Sequence, residues 1–241
     1  MDEKQALIVN RLRRFLIDRY APEMIILYGS TARGDTDEFS DIDIMVIMDV
    51  EESEKVSAEI MEDTDYIVHD KHIMIRSVCD YYSRRDIPGT MVYSALSEGL
   101  TLFRRPGFDT GTRPLKNYEE RKRDIIEKDY LEQIRGFLEK AEWSLDNKQL
   151  FRCRDFLRFA FVRFLKAVMV FCDVHPPRST DLEMLFEKAV EMFPEVEKTE
   201  SVIKILTDYL PAGNEPENVA ECRYLLDMTR SAIDAVASLL C

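Results

Sequence analysis

The hydrophobic spacing of this chain changes character once, and that change restricts the fold more than any other feature. Up to Phe103, short apolar runs with a period of two alternate with helical stretches. Ile8, Leu12, Phe15, Leu16 and Tyr20 share one helical face, and Pro22 ends that helix. Met24 to Tyr28 reads as a short apolar strand. A second strand lies within Phe39 to Met48, carried by Ile42, Ile44, Val46 and Met48. Glu51 to Glu62 reads as a helix, followed by strands at Tyr66 to Val68 and His72 to Val78 turning at Asp70-Lys71. Between Phe103 and Lys116 the pattern lapses into Arg104, Arg105, Pro106, Gly107, Gly111 and Pro114, a set of turn formers without periodicity.

Beyond that lapse every apolar stripe is helical. Ile126, Tyr130, Ile134, Leu138, Ala141 and Leu145 form one stripe; Leu182, Leu185, Phe186, Ala189 and Phe193 form another; Leu225, Leu226, Ala232, Ile233, Val236 and Leu240 form a third. The nearly all-apolar stretch from Phe156 to Cys172 reads as the central helix. Strands confined to the first half, with a second half that is helical throughout, predict an α+β chain. The expected division is a small mixed-sheet domain over residues 1–112 and an all-α bundle of four or five helices over 113–241.

Charge and cysteine usage narrow the classes of function. The net charge of −13 argues against a broad grip on nucleic acid, since phosphate backbones are bound by neutralising them. Arg11, Arg13, Arg14 and Asp18 break up the first apolar positions, so no secretory signal is expected there. The run from Phe156 carries Arg158, Arg163 and Lys166 and is too short and too charged for a membrane span. Five scattered cysteines without CxxC spacing are expected as free thiols in a reducing, cytoplasmic setting.

The chemistry is concentrated in two segments, Leu27-Tyr-Gly-Ser-Thr-Ala-Arg-Gly-Asp35 and Ser40-Asp-Ile-Asp-Ile-Met-Val46. Gly29 closes a strand and lets the backbone approach a ligand, while the polar turn after it can aim N–H groups and the Ser30 hydroxyl at phosphate oxygens. Asp41 and Asp43 lie two apart on a strand and project from one face with Cα atoms roughly 6.6 Å apart. Ile42 then points into the core. Two carboxylates on one face repel, and a divalent cation is the natural remedy when a phosphate turn lies beside them.

Gly29-Ser30, Arg33-Gly34 and Ser40-Asp41-Ile42-Asp43 resemble the signature of the polymerase-beta-type nucleotidyltransferase superfamily in its minimal form. The resemblance runs from about Glu23 to Phe103, because Ile87 to Tyr93 and Glu98 to Phe103 look like the closing helix and strand of such domains. It implies that Gly29 and Ser30 hold the β- and γ-phosphates of ATP or another nucleoside triphosphate, and that Asp41 and Asp43 ligate Mg²⁺ or Mn²⁺. Active members usually carry a third acidic residue on a later strand. The strand at His72 to Val78 has no carboxylate, which leaves Asp70, or Asp65, for that catalytic role. Arg154 to Ala167 and Val174 to Leu185 resemble the central helices and loop of the HEPN helical bundle. That family's Arg-x4-6-His ribonuclease motif is missing, since Tyr-Leu-Leu-Asp-Met follows Arg223.

Together these readings predict a Mg²⁺-dependent nucleotidyltransferase moving a nucleoside monophosphate, AMP from ATP, to a hydroxyl of a protein or small-molecule acceptor held in an interdomain cleft. The alternative is a catalytically impaired nucleotide-binding regulatory or interaction protein of toxin–antitoxin type. A homodimer through the bundle is compatible with both, and neither involves a membrane. Arg33 has two readings, a phosphate contact and an ion pair to Asp35 or Asp41. His69 and His72 are expected at the surface, His175 in its loop, and Trp143 at a helix seam. Lys166 reads either as a group reaching the cleft or as a surface cation.

Overall fold

The computed structural model describes residues 3–35, 41–67, 69–111, 116–208 and 219–240. Two compact units divide it, Met1–Lys116 and Asn117–Cys241. In the first, α1 (Glu3–Tyr20) leads into β1 (Met24–Tyr28), a short helix α2 (Gly29–Arg33) and β2 (Ile42–Met48). Then come α3 (Ser53–Asp63), β3 (Lys71–Ser77), α4 (Val78–Arg84), α5 (Met91–Glu98) and β4 (Leu100–Arg104).

The sheet has the order β3-β2-β1-β4 and is mixed. β1 is antiparallel to β2 and β4, while β2 and β3 run parallel through the α3 crossover. Its alternation sorts side chains onto two helical layers. Ile25, Leu27, Ile42, Ile44, Val46 and Met48 pack with Leu12 and Leu16 of α1 and Ile60 of α3. Met24, Ile26, Tyr28, Met45 and Ile47 face Tyr81 of α4 and Val92 and Ala95 of α5. β2 is thus covered on both faces, and Asp43 is its one partly open position. Gly99, between α5 and β4, has no room for a side chain, since a Cβ there would lie 2.7 Å from the Ile26 side chain.

Two local expectations need correcting. The strand expected at Tyr66 to Val68 is not formed by Tyr66 and Ile67, and Val68 lies outside the described residues. Thr64 ends α3 by hydrogen-bonding Ile60 O, and Ile67 N–H returns to Thr64 O at 2.9 Å, which closes a turn instead. β3 consequently pairs with β2 and not with a hairpin partner. The polar turn after Gly29 begins as one helical turn, closed where Gly34 N–H meets Ser30 O at 3.1 Å. The strand expected within Phe39 to Met48 is β2, and Phe39 and Ser40 lie outside the described residues.

The second unit is helical. α6 (Tyr118–Ile125) continues through a π-helical stretch, Ile126–Leu131, into α7 (Glu132–Asp146), followed by α8 (Leu150–Phe171), α9 (Leu182–Met192) and a 3₁₀ segment, Pro194–Thr199. α10 (Glu200–Asp208) and α11 (Val219–Ala237) complete it. α8 is the hub and buries Leu157, Phe161, Phe164, Leu165 and Val168 completely. The stripe from Ile126 to Leu145 is buried as its spacing requires. Trp143 is not at a seam, because 58% of it is exposed. Among the described residues no helix is long and apolar enough to cross a membrane, and Cys79, Cys153, Cys172 and Cys222 are free.

The contrast between Phe161 and Trp143 gives a direct check. Phe161→Ala is expected to cost about 3–5 kcal/mol in urea unfolding. Trp143→Ala is expected to cost less than about 0.5 kcal/mol.

Candidate active site

Three strands bring different chemistry to one row. β1 places Tyr28 opposite Asp43, and β3 places His72 opposite Asp43 on the other side. Directly paired residues project from the same face. Phenol, carboxylate and imidazole therefore stand side by side on the face that also carries α4 and α5. His72 Nδ1 lies 3.3 Å from the Tyr28 hydroxyl and 3.7 Å from Asp43 Oδ1. Asp41, two residues before Asp43, joins this face by alternation.

The turn after β1 is fitted to the carboxylate. Gly29 has φ +74°, and a Cβ on it would lie 2.1 Å from Asp43 Oδ2. Only a residue without a side chain satisfies both the backbone angle and the contact. Thr31, buried in α2, donates its hydroxyl to Asp41 O at 2.9 Å and ties the turn to the start of β2. Ser30 follows Gly29 in the first turn of α2, where N–H groups have no intrahelical acceptor. Arg33 lies 3.2 Å from Asp35 and 3.8 Å from Glu98, so of the two acidic partners anticipated for it the structure supplies Asp35.

Electrostatics leave Asp43 short of positive charge. Burial raises its pKa above the ordinary carboxylate value, His72 and Arg33 lower it, and the charge of Asp41 raises it further. The net shift is upward. Tyr28 is pushed up to about 12, chiefly by burial and then by the charge of Asp43. A carboxylate pair whose charge is under-compensated, beside a glycine that leaves its oxygens uncovered, matches the donor set that Mg²⁺ takes together with substrate phosphates. Among the described residues no three His, Cys, Asp or Glu side chains come together to hold an ion.

Asp70 and Asp65 stand apart from the pair in that sense. Asp70 precedes β3 and uses its carbonyl to accept the Ile42 N–H at 3.0 Å, while its side chain is exposed. Asp65 lies in the turn after α3, also exposed. The residue that β3 does bring to Asp43 is His72, which is exposed as the sequence expected. The parallel register was the missing signal: reading β3 as half of a hairpin separated it from β2. Thr31 carried no sequence signal beyond its place in the turn.

The sequence model of the nucleotidyltransferase domain matches residues 9–146, more than half of the chain. The chain belongs to the nucleotidyltransferase domain family. The matched region covers all four strands of the sheet and continues through α7. Among solved structures, the chain is similar to a nucleotidyltransferase-like protein from Exiguobacterium sibiricum, 14% identical, over 95% of this chain and 75% of that one, with a TM-score of 0.47. It is also similar to the spectinomycin adenyltransferase from Enterococcus faecialis, solved with ATP and spectinomycin, 14% identical, over 95% of this chain and 100% of that one, with a TM-score of 0.42. Comparison with curated proteins gives no match.

Two substitutions test this geometry. Gly29→Ala is expected to destabilise the protein by roughly 1–3 kcal/mol, because it forces a strained backbone and displaces the Asp43 carboxylate. Asp43→Asn should act oppositely in metal-free protein. A raised carboxyl pKa means that the charged form costs native stability above the ordinary carboxylate pKa, and the cost disappears as pH falls below it. The variant is therefore expected to melt higher than wild type at pH 7 and to lose that advantage at low pH, as read by thermal unfolding across pH.

Proposed function

We propose that the chain is a Mg²⁺- or Mn²⁺-dependent nucleotidyltransferase that moves a nucleoside monophosphate, AMP from ATP, to a hydroxyl of a protein or small-molecule acceptor. The observation that carries this reading is the junction of Gly29 with Asp43, where a phosphate-type turn ends against a half-buried carboxylate whose pKa burial raises. Family membership supports nucleotidyl transfer in general terms. The finer assignments rest on the residues themselves.

In this reading Gly29 and Ser30 hold the β- and γ-phosphates, and Arg33 adds a positive charge beside them. Asp41 and Asp43 hold the divalent cation. When bound, the cation offsets the triphosphate charge and the charge that develops during in-line displacement at the α-phosphorus. The acceptor oxygen forms its bond to that phosphorus as the bond to pyrophosphate breaks. Asp70, whose carbonyl accepts the Ile42 N–H between the two aspartates, is assigned the acceptor's proton. Residues 1–112 form the catalytic domain, and residues 113–241 a HEPN-like bundle that recognises the acceptor or pairs with a second copy.

A second reading is favoured by one specific observation. β3 sets His72, not a carboxylate, beside Asp43, which suits a nucleotide-binding regulatory protein that has given up transfer. Incubation with α-labelled ATP, Mg²⁺ or Mn²⁺ and a source lysate separates the two. Transfer of label by wild type, reduced by at least about 10²-fold in Asp41→Ala/Asp43→Ala, is expected for the enzyme, given the size of metal-assisted charge stabilisation. Metal-dependent ATP binding in calorimetry without any transfer would leave the regulatory reading.

A further inference from the structure

Among the described residues, the most deeply buried cations are matched by carboxylates. Lys122, with a side chain 5% exposed, lies 3.2 Å from Glu119 and 3.0 Å from Asp173. Arg85, 3% exposed, lies 3.0 Å from Asp109. This is the usual rule, since a charge that leaves water must be paired. Arg163 and Lys166 on α8 depart from it. Both are withdrawn from solvent in part, and among the described residues neither makes an ion pair.

Their remaining contacts are main-chain and aromatic. One Nη of Arg163 donates to Asp129 O at 3.1 Å, in the π-helical stretch, and the guanidinium stacks 4.4 Å over the Tyr130 ring. Its Nε is buried with no partner. Among the described residues Lys166 Nζ reaches only the Arg178 carbonyl, at 3.5 Å, the outer limit of a hydrogen bond. Residues three apart on a helix are neighbours, so these two like charges stand close enough to feel each other. Burial first, and then the charge of Arg163, hold the Lys166 pKa below its ordinary value. Alongside, Arg158 donates to Thr180 O at 3.2 Å and fixes the loop that also supplies the Arg178 carbonyl.

We propose that Arg163 and Lys166 form a phosphate-binding site of the helical unit, whose ligand is the phosphate group of a small molecule. The planar fork of Arg163 and the compact ammonium of Lys166 divide the work as such cations do on phosphates, one giving directional hydrogen bonds and the other a point charge. A dianion between them removes the repulsion and supplies the missing acceptor. The site is built from residues of the second unit alone and does not depend on the proposed activity.

The test uses full-length protein carrying Asp41→Asn/Asp43→Asn, so that the candidate metal–nucleotide site is disabled. Inorganic phosphate, pyrophosphate and AMP are titrated by calorimetry at constant ionic strength, with chloride as the control. Saturable binding of at least one of them is expected, weakened about tenfold or more by Lys166→Gln and by Arg163→Gln, the size of a lost charged hydrogen bond. Arg152→Gln, which removes an exposed cation of the same helix, should leave it unchanged. Lack of binding by all three, or equal weakening by Arg152→Gln, overturns the proposal. Should a variant fail to fold, amine acetylation of the parent protein read by mass spectrometry gives the answer. Phosphate-dependent protection of Lys166 upholds the site, and unprotected acetylation contradicts it.

Discussion

The carboxylate of Asp43 occupies the space that any side chain at residue 29 would need. That exclusion ties the end of β1 to the middle of the site, because Gly29 must be glycine for its backbone angle and for the contact at once. The sheet supplies the rest of the alignment. Antiparallel pairing brings Tyr28 to Asp43 and parallel pairing brings His72, so three adjacent strands deliver one row of polar groups. β2 can carry a charged residue at its start because the remainder of the strand is buried between two helical layers and has no freedom to shift register.

Much of this was legible in the sequence. The apolar run Met24–Tyr28 and the alternation of Ile42, Ile44, Val46 and Met48 specify strands whose inward positions match the observed core. The same alternation puts Asp41 and Asp43 on one face before any coordinates exist. What stayed hidden was non-local. Nothing in the residues from Tyr66 to Val78 says which strand β3 will join, and the apolar character of Tyr66 and Ile67 imitates a hairpin partner although Ile67 is buried through a turn. With that pairing unknown, His72 could not be matched to Asp43. Trp143 illustrates a second limit: an aromatic beside a helical stripe was read as seam, yet it points to solvent because the buried stripe runs through Ala141 and Leu145.

The helical unit follows from simpler patterning, with α8 apolar on nearly all sides and the other helices contributing stripes to it. Its polar features are less uniform. Lys122 closes the C-terminal end of α8 by meeting the Phe171 carbonyl and Asp173, where a cation is favoured by the helix dipole. Arg223 and Arg230 bind α11 to α7 through Glu142 and Asp146. These pairs account for position and need no ligand. The Arg163–Lys166 pair is set apart from them by the lack of an acidic partner among the described residues.

The central claim is that Asp41 and Asp43, beside the Gly29-Ser30 turn, hold a divalent cation together with a nucleotide. Crystals grown with Mn²⁺ and an ATP analogue that cannot release pyrophosphate would test it through anomalous scattering at the manganese edge. The account predicts a peak within coordination distance of both carboxylates, about 2.0–2.3 Å, with the terminal phosphates against Gly29 and Ser30. Manganese bound elsewhere, or a nucleotide seated away from the Asp43 row, would contradict it.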